Sequence, residues 1–525
     1  MAIPQATAGA EKKRPHKRRK HKRVWNDKHW RWVPTADGGW RVQGYIFHHK
    51  HKPPKHHFRG PGPKPPRRVV SAPSGESRPA GSYQGEFGPA QATRLLHRAG
   101  FGPRPGQADQ LASLGLVGAV QSLTRPNGAA TLSGPAPVDD DGEPLAPADA
   151  WGHDHLWWLD RMVRSDQPLV ERMALVLHDW FATSAAGVST TQQMIDQSNL
   201  FRAAGFGSFL DLFKAVTIDH AMLQWLNGLE NVKSAPNENY GREMMELFSL
   251  GADRGAYSED DVREQARSLT GWRADWSSEE GLHNFRFDPK RHDEKTKTVF
   301  GRAGNWSWED ACRLCVENPL HPSFFVTKLW SYFVPGPMPS DRQSALEGIY
   351  VGSGWQIRPV LEAILLSPDL YEGAPMVKPP VVQLASMLRA VGRYVDTTAW
   401  VWLCEEAGQR LFWPPNVSGW DDTRWLDTSR MRARWNIADY VLDGISVDAW
   451  GQPYSTTETA EEALTRAVTS WGSPALRDEH RAELLDFATR AEKLILANWQ
   501  KGPYRALRQN ALLQLIGTSP DLILQ

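Results

Sequence analysis

The segment Asn237-Glu238-Asn239-Tyr240-Gly241-Arg242-Glu243-Met244-Met245-Glu246-Leu247-Phe248-Ser249-Leu250 opens with two amides, three carboxylates and a guanidinium within ten residues. Wound as a helix, it puts Tyr240, Met244, Leu247 and Gly251 on one face, expected in the core. Asn239, Glu243, Glu246 and Leu250 form a second stripe with Arg242 beside it. Paired carboxylates with an amide one turn earlier can coordinate a hard cation, or polarise a water if one carboxyl has a raised pKa. Glu243 and Glu246 are therefore catalytic candidates, and Asn237, Asn239 and Arg242 ligand-binding candidates. The plainer alternative is ordinary helix electrostatics. Glu238–Arg242 and Arg242–Glu246 are i, i+4 pairs, and Asn237 after Pro236 is a good N-cap.

His292-Asp293 falls in a polar loop between two short expected strands, Asn284–Phe287 and Lys297–Phe300, and adds two further catalytic candidates. Its alternative is a turn in which Asp293 accepts from backbone amides. His178 lies on a largely apolar helical stretch, as a ligand or as a hydrogen-bonded core residue. If His178, Glu243 and His292 converge, they make a mixed oxygen and nitrogen site suited to a divalent metal. Cys312-x-x-Cys315 has no second pair, which favours packing over zinc or redox chemistry. The chain holds 24 tryptophans, and an indole face can stack on sugars or bases. Trp272 and Trp420 are the binding candidates; the alternative is a tryptophan-rich core. The sequence contains no His-Glu-x-x-His, Gly-x-Ser-x-Gly, P-loop or Gly-x-Gly-x-x-Gly, which removes the common metalloprotease, serine hydrolase and nucleotide-binding signatures.

These residues need elements to position them, and from Phe87 onward the pattern is helical. Helices are expected over 90–99, 148–163, 170–181, 209–225, 238–250, 259–270, 308–316, 324–333, 357–366, 381–391, 430–442, 460–469 and 478–498. The expected fold is mainly α, one large multi-helix body over 87–525 with a few short strands and two lobes meeting near 273–307. Before it, residues 1–86 read as a disordered basic tail, rich in His, Lys, Arg and Pro, containing a small β-hairpin at 29–47.

Charge divides the chain the same way. The first seventy residues hold 19 Lys and Arg against three acids, and the remainder holds 42 against 57, so a net charge of +1 hides a cationic tail on an acidic body. Residues 12–68 are thus expected to meet a polyanion, either nucleic acid or an anionic surface, or to fold back on the acidic body. No run of apolar residues is long enough for a transmembrane helix, and no apolar signal region follows the N-terminal charges, which points to a cytoplasmic location.

Several phrases together resemble a large bacterial family, the domain of unknown function 1800. They are Leu95-Leu96-His97-Arg98-Ala99-Gly100-Phe101-Gly102, His178-Asp179-Trp180-Phe181-Ala182-Thr183-Ser184, the Asn237–Gly251 segment, Ala266–Trp272, His292-Asp293, Lys328-Leu329-Trp330 and Pro414-Pro415-Asn416-Val417-Ser418-Gly419-Trp420. The resemblance runs from about Phe87 to the C-terminus and implies no defined activity. It also implies that the protein is exported, as many members look to be, and that its partner belongs to a sulfatase-like family often encoded beside this one. The reading that follows is a non-catalytic binding or assembly protein with a polyanion-binding tail. The alternative is a hydrolase-like, metal-assisted enzyme with its site between the 237–250 helix and the 292–295 loop.

Overall fold

The computed structural model describes residues 78–451 and 453–525, with two short strands nearer the N-terminus, Trp32–Pro34 and Trp40–Val42. Those strands pair antiparallel with Val33 opposite Arg41, inside the expected 29–47 hairpin. The basic run 11–23 and the His-rich stretch 48–68 lie outside the described residues. By backbone contacts the chain divides into Met1–Val69 and Val70–Gln525. The second unit is one body, where the sequence suggested two lobes.

That body is mainly helical. Several helices begin on the reciprocal bonds of a capping box, with Ser258 and Asp261, Ser307 and Asp310, or Thr459 and Glu462 satisfying the first turn's N–H groups. Helices Trp308–Val316 and Ile357–Leu366 start and stop where their periodicity does. The stretch read as one helix over 209–225 is two, Phe209–Thr217 and His220–Trp225, because the Asp219 side chain accepts from Met222 N–H and restarts the chain as an N-cap.

Among the described residues, six helices of six or more residues lie outside the expected ranges: Gln107–Ala112, Gly115–Thr124, Thr191–Ala204, Ser340–Gly352, Ala399–Glu406 and Lys501–Gly517. Thr191–Ala204 shows one reason. It buries Gln193, Gln197 and Ser198 alongside Met194, Ile195 and Phe201, so its inward face is no apolar stripe.

The two expected strands do not pair with each other. Gly281–Phe287 forms a hairpin with Trp272–Ser277, while Lys297–Val299 pairs with Arg302–Gly304. In each case the partner is the nearest extended segment, reached by a tight turn.

Trp158, Trp180, Trp330 and Trp400 are fully buried, so much of the indole content is core. Buried cations are held by main-chain carbonyls. Arg389 donates to Val163 O and Gly102 O, and Arg434 to Trp425 O and Lys378 O. Val163 lies in the last turn of a helix and Trp425 caps a 3-10 turn, and their carbonyls, with those of the loop residues Gly102 and Lys378, supply the partial negative charge that a desolvated guanidinium requires. Among the described residues no helix is long and apolar enough to cross a membrane.

Candidate functional site

The 237–250 segment starts as read, with Asn237 capping the helix Glu238–Glu243 through Asn239 N–H. It then widens into a π-helix over Met244–Ser249. Leu250 N–H reaches back to Met245 O, and the Ser249 hydroxyl donates to Met244 O. The first turns lie tight on the helix Glu259–Ser268, because a side chain at Gly241 would sit 3.1 Å from Val262 O and Ala266 N. Tyr240 and Met244 are buried, as the apolar stripe requires.

The second stripe is only partly enclosed: Leu250 at its end is buried, while its charged side chains reach the surface. Arg242 forms ion pairs with Glu238 at 3.3 Å and Glu259 at 2.7 Å. Glu243 and Glu246 are half-buried. Burial first, and then repulsion by Glu246, push the Glu243 carboxyl up. Asn239 is exposed and donates to Leu226 O.

His292 and Asp293 are bound in place by their neighbours. His292 Nδ1 lies 2.8 Å from Thr270 O and 3.2 Å from its hydroxyl. Asp293 N–H donates to that hydroxyl, and Arg267 donates to the Asp293 carboxylate at 2.8 Å. Burial pushes this carboxyl up, but the bonds from Arg267 and Lys295 N–H outweigh it and hold the group below the usual carboxylate range. His178 sits in an aromatic cage of Trp158, Phe412 and Trp420, with ring centroids 5.4–5.7 Å away. Burial lowers its pKa to about 3, so the imidazole is neutral.

His178, Glu243 and His292 do not gather into a metal site. Among the described residues no group of three or more His, Cys, Asp or Glu side chains could hold a metal ion. The physical reason is that each has another engagement: the aromatic cage, the partly enclosed helix stripe and the Thr270 clasp. The two tryptophan candidates are also packed. Trp420 is 9% exposed, and Trp272 lies edge-on against Phe287 and Trp308. Neither offers an open face.

The phrases scattered along the sequence do meet, at a residue it did not single out. Asp179 accepts from Trp420 N–H at 2.9 Å and from the Tyr332 hydroxyl at 2.8 Å. Gly419 takes a φ of +88°, and any side chain there would collide with the Asp179 carboxylate. Lys328 stands beside the junction, donating to Leu247 O of the π-helix and lying 5.4 Å over the Trp180 ring. Trp180 Nε1 donates in turn to Phe248 O. Burial pushes the Asp179 carboxyl up and lowers the Lys328 amine to about 8. The arrangement fastens three segments together around one carboxylate. The only signal in the sequence was that Asp179, Lys328 and Gly419-Trp420 each lie inside a quoted phrase.

A separate open cleft of about 610 Å³ lies between Ser189–Gln193 and the strand Gly281–Phe285. Its walls are tied together by amide bonds: Gln193 Nε2 donates to Leu282 O at 2.8 Å, and Gln224 Nε2 donates to Gln193 Oε1 at 2.7 Å. Gly281, at φ +65°, lets the strand approach Ser189 within side-chain contact distance. His220 stacks on Phe285 at 4.1 Å and 10°. Burial lowers the His220 pKa. No Lys or Arg lines the cleft, whereas the Asp149 and Glu280 carboxylates do.

Fold and site together define a large helical body with an open cleft of mixed polar and apolar lining and a carboxylate junction between packed segments. A family model described as protein of unknown function (DUF1800) matches residues 94–524, and the chain belongs to that family. No curated protein and no solved structure matches the chain.

Proposed function

We propose that this protein acts by binding, with no reaction of its own. Its body holds a polar ligand in the cleft between Ser189–Gln193 and Gly281–Phe285. The observation that carries this reading is the cleft itself: a volume within the roughly 300–1,000 Å³ of small-ligand sites, with walls already fixed by the Gln193 and Gln224 amides. Preformed walls lose little freedom when a ligand arrives. The metal-assisted hydrolase reading needs Glu243, Glu246, His292 and Asp293 to face one pocket. Asp293 is instead held by Arg267, and His292 by Thr270.

The basic stretch 12–68 extends the reading to a polyanion, on the strength of its charge. Deleting residues 1–70 is expected to abolish salt-sensitive binding to duplex DNA or anionic vesicles; unchanged binding would overturn that part. The cleft is tested by hydroxyl-radical footprinting of the full chain against a panel of neutral, cationic and sulfated oligosaccharides, nucleotides and short peptides. Protection of His220, His283 and Phe285 by at least one member is expected. Protection by none would refute the cleft as a binding site.

A further inference from the structure

The chemistry of the cleft narrows its ligand. We infer that it takes a neutral, polyhydroxylated ligand, a carbohydrate, and this inference rests on the binding reading above. Three independent observations converge on that class.

The first is charge. Asp149 and Glu280 contribute carboxylates, and Lys and Arg are absent from the lining. Phosphate, sulfate or carboxylate groups would enter against like charge with no guanidinium or ammonium to receive them. That argues against nucleotides, anionic glycans and acidic peptides.

The second is the mixture of polar groups. Hydroxyls of Ser189, Thr190 and Thr191 and amides of Gln192 and Asn284 line the walls beside those carboxylates. A sugar hydroxyl both donates and accepts. A wall of hydroxyls and amides, which also do both, with carboxylates that only accept, matches it group for group.

The third is an aromatic surface. Trp276 stands opposite Leu282 in the hairpin register. Opposed residues of an antiparallel pair project to the same face, so Trp276 shares the face of cleft-lining Leu282. It is 69% exposed, which leaves an indole open to solvent on the strand paired with the cleft-lining one. The C–H face of a pyranose packs on such a ring, while its hydroxyls point to polar neighbours. The His220–Phe285 stack, lined by the same strand, adds a second flat surface inside the cleft. The stacking candidates Trp272 and Trp420 are packed against neighbouring rings, whereas Trp276, one of several exposed tryptophans among the described residues, stands beside the cleft-lining strand.

The test titrates the full chain with cellohexaose, maltohexaose and xylohexaose, and in parallel with a chitosan hexamer, a sulfated hexasaccharide and ATP. Calorimetry gives the affinity and radical footprinting gives the location. At least one neutral hexasaccharide is expected to bind and to protect His283 and Phe285. Trp276→Ala, at an exposed position that folding does not need, should weaken it roughly tenfold, the loss of one stacking ring. Glu280→Gln, also exposed, removes one charge but keeps a carbonyl acceptor, so it should weaken any binding of the cationic chitosan hexamer more than that of the neutral sugars, since only the former is drawn by charge. If only the sulfated sugar or ATP protects the cleft, the carbohydrate inference fails and the binding reading stands. If nothing protects it, both fail. Sugar binding that Trp276→Ala leaves unchanged, with no protection in the cleft, overturns the inference as well.

Discussion

The Asp179 carboxylate holds two donors from segments far apart in the chain, and that makes its replacement a quantitative test. Asp179→Ala removes the acceptor of Trp420 N–H and of the Tyr332 hydroxyl. A buried donor left without a partner costs about 1–3 kcal/mol. Two such losses are partly offset by relief of the carboxylate's own desolvation, which burial shows in its raised pKa. The net destabilisation is expected at roughly 2–4 kcal/mol. Asp179→Asn keeps Oδ1 for Trp420 N–H and turns an amide toward Tyr332, whose hydroxyl can rotate to accept. Its cost should stay below about 1.5 kcal/mol. Urea unfolding followed by tryptophan fluorescence at pH 7 reads both, with an unchanged slope as the check on two-state behaviour. A cycle adding Tyr332→Phe should return a coupling of about 1 kcal/mol with Asp179. Equal costs for the alanine and asparagine variants would refute the claim that hydrogen bonding is what Asp179 contributes.

Burial raises the Asp219 carboxyl to about 6 from an unfolded value of 3.8. The native state therefore holds this proton more tightly, and stability declines as pH rises from about 4 to about 6 and then levels. Asp219→Asn, which can still cap Met222 N–H, should remove that decline and be more stable than the parent at pH 7 by about 1–3 kcal/mol; parallel pH profiles would contradict it. The three buried cysteines should resist a thiol reagent at pH 8 until the protein is unfolded, since burial pushes Cys312 up to about 12 and Cys315 and Cys404 higher still. Rapid native-state labelling would mean the Cys312–Cys315 helix opens. Gly281→Ala puts a side chain at φ +65° against Ser189, with an expected cost of about 1–2 kcal/mol in thermal unfolding. No loss would mean the strand sits further from Ser189 than described.

Much of the fold was legible because its causes are local. Ser258 with Asp261 and Ser307 with Asp310 announce helix starts within four residues, and Ile357–Leu366 carries its apolar stripe in its own sequence. The family phrases are likewise local strings, so the family could be named before any coordinate was known. Thr191–Ala204 hides because its buried face mixes Met194, Ile195 and Phe201 with glutamines whose partners lie on other segments: Gln224 and Leu282 for Gln193, Thr183 and Asp219 for Gln197. The helix over 238–250 becomes a π-helix after Glu243, while its Gly241 face fits against a second helix.

The site shows the division most sharply. Sequence spacing put Glu243 and Glu246 on one α-helical stripe, but it could not say that the helix widens after Glu243 or that both carboxylates end half-buried. It separated Asp179 from Tyr332 by 153 positions and from Trp420 by 241. It also gave Trp272, Trp276 and Trp420 equal standing, though only Trp276 is open to solvent among the three. The sequence by itself determined the helical class, the family and the charge division between tail and body. Tertiary structure alone decided which carboxylate is shared, which indoles are packed and which exposed, and where a cleft opens, because burial and hydrogen-bond partnership belong to surfaces that exist only after distant segments have packed.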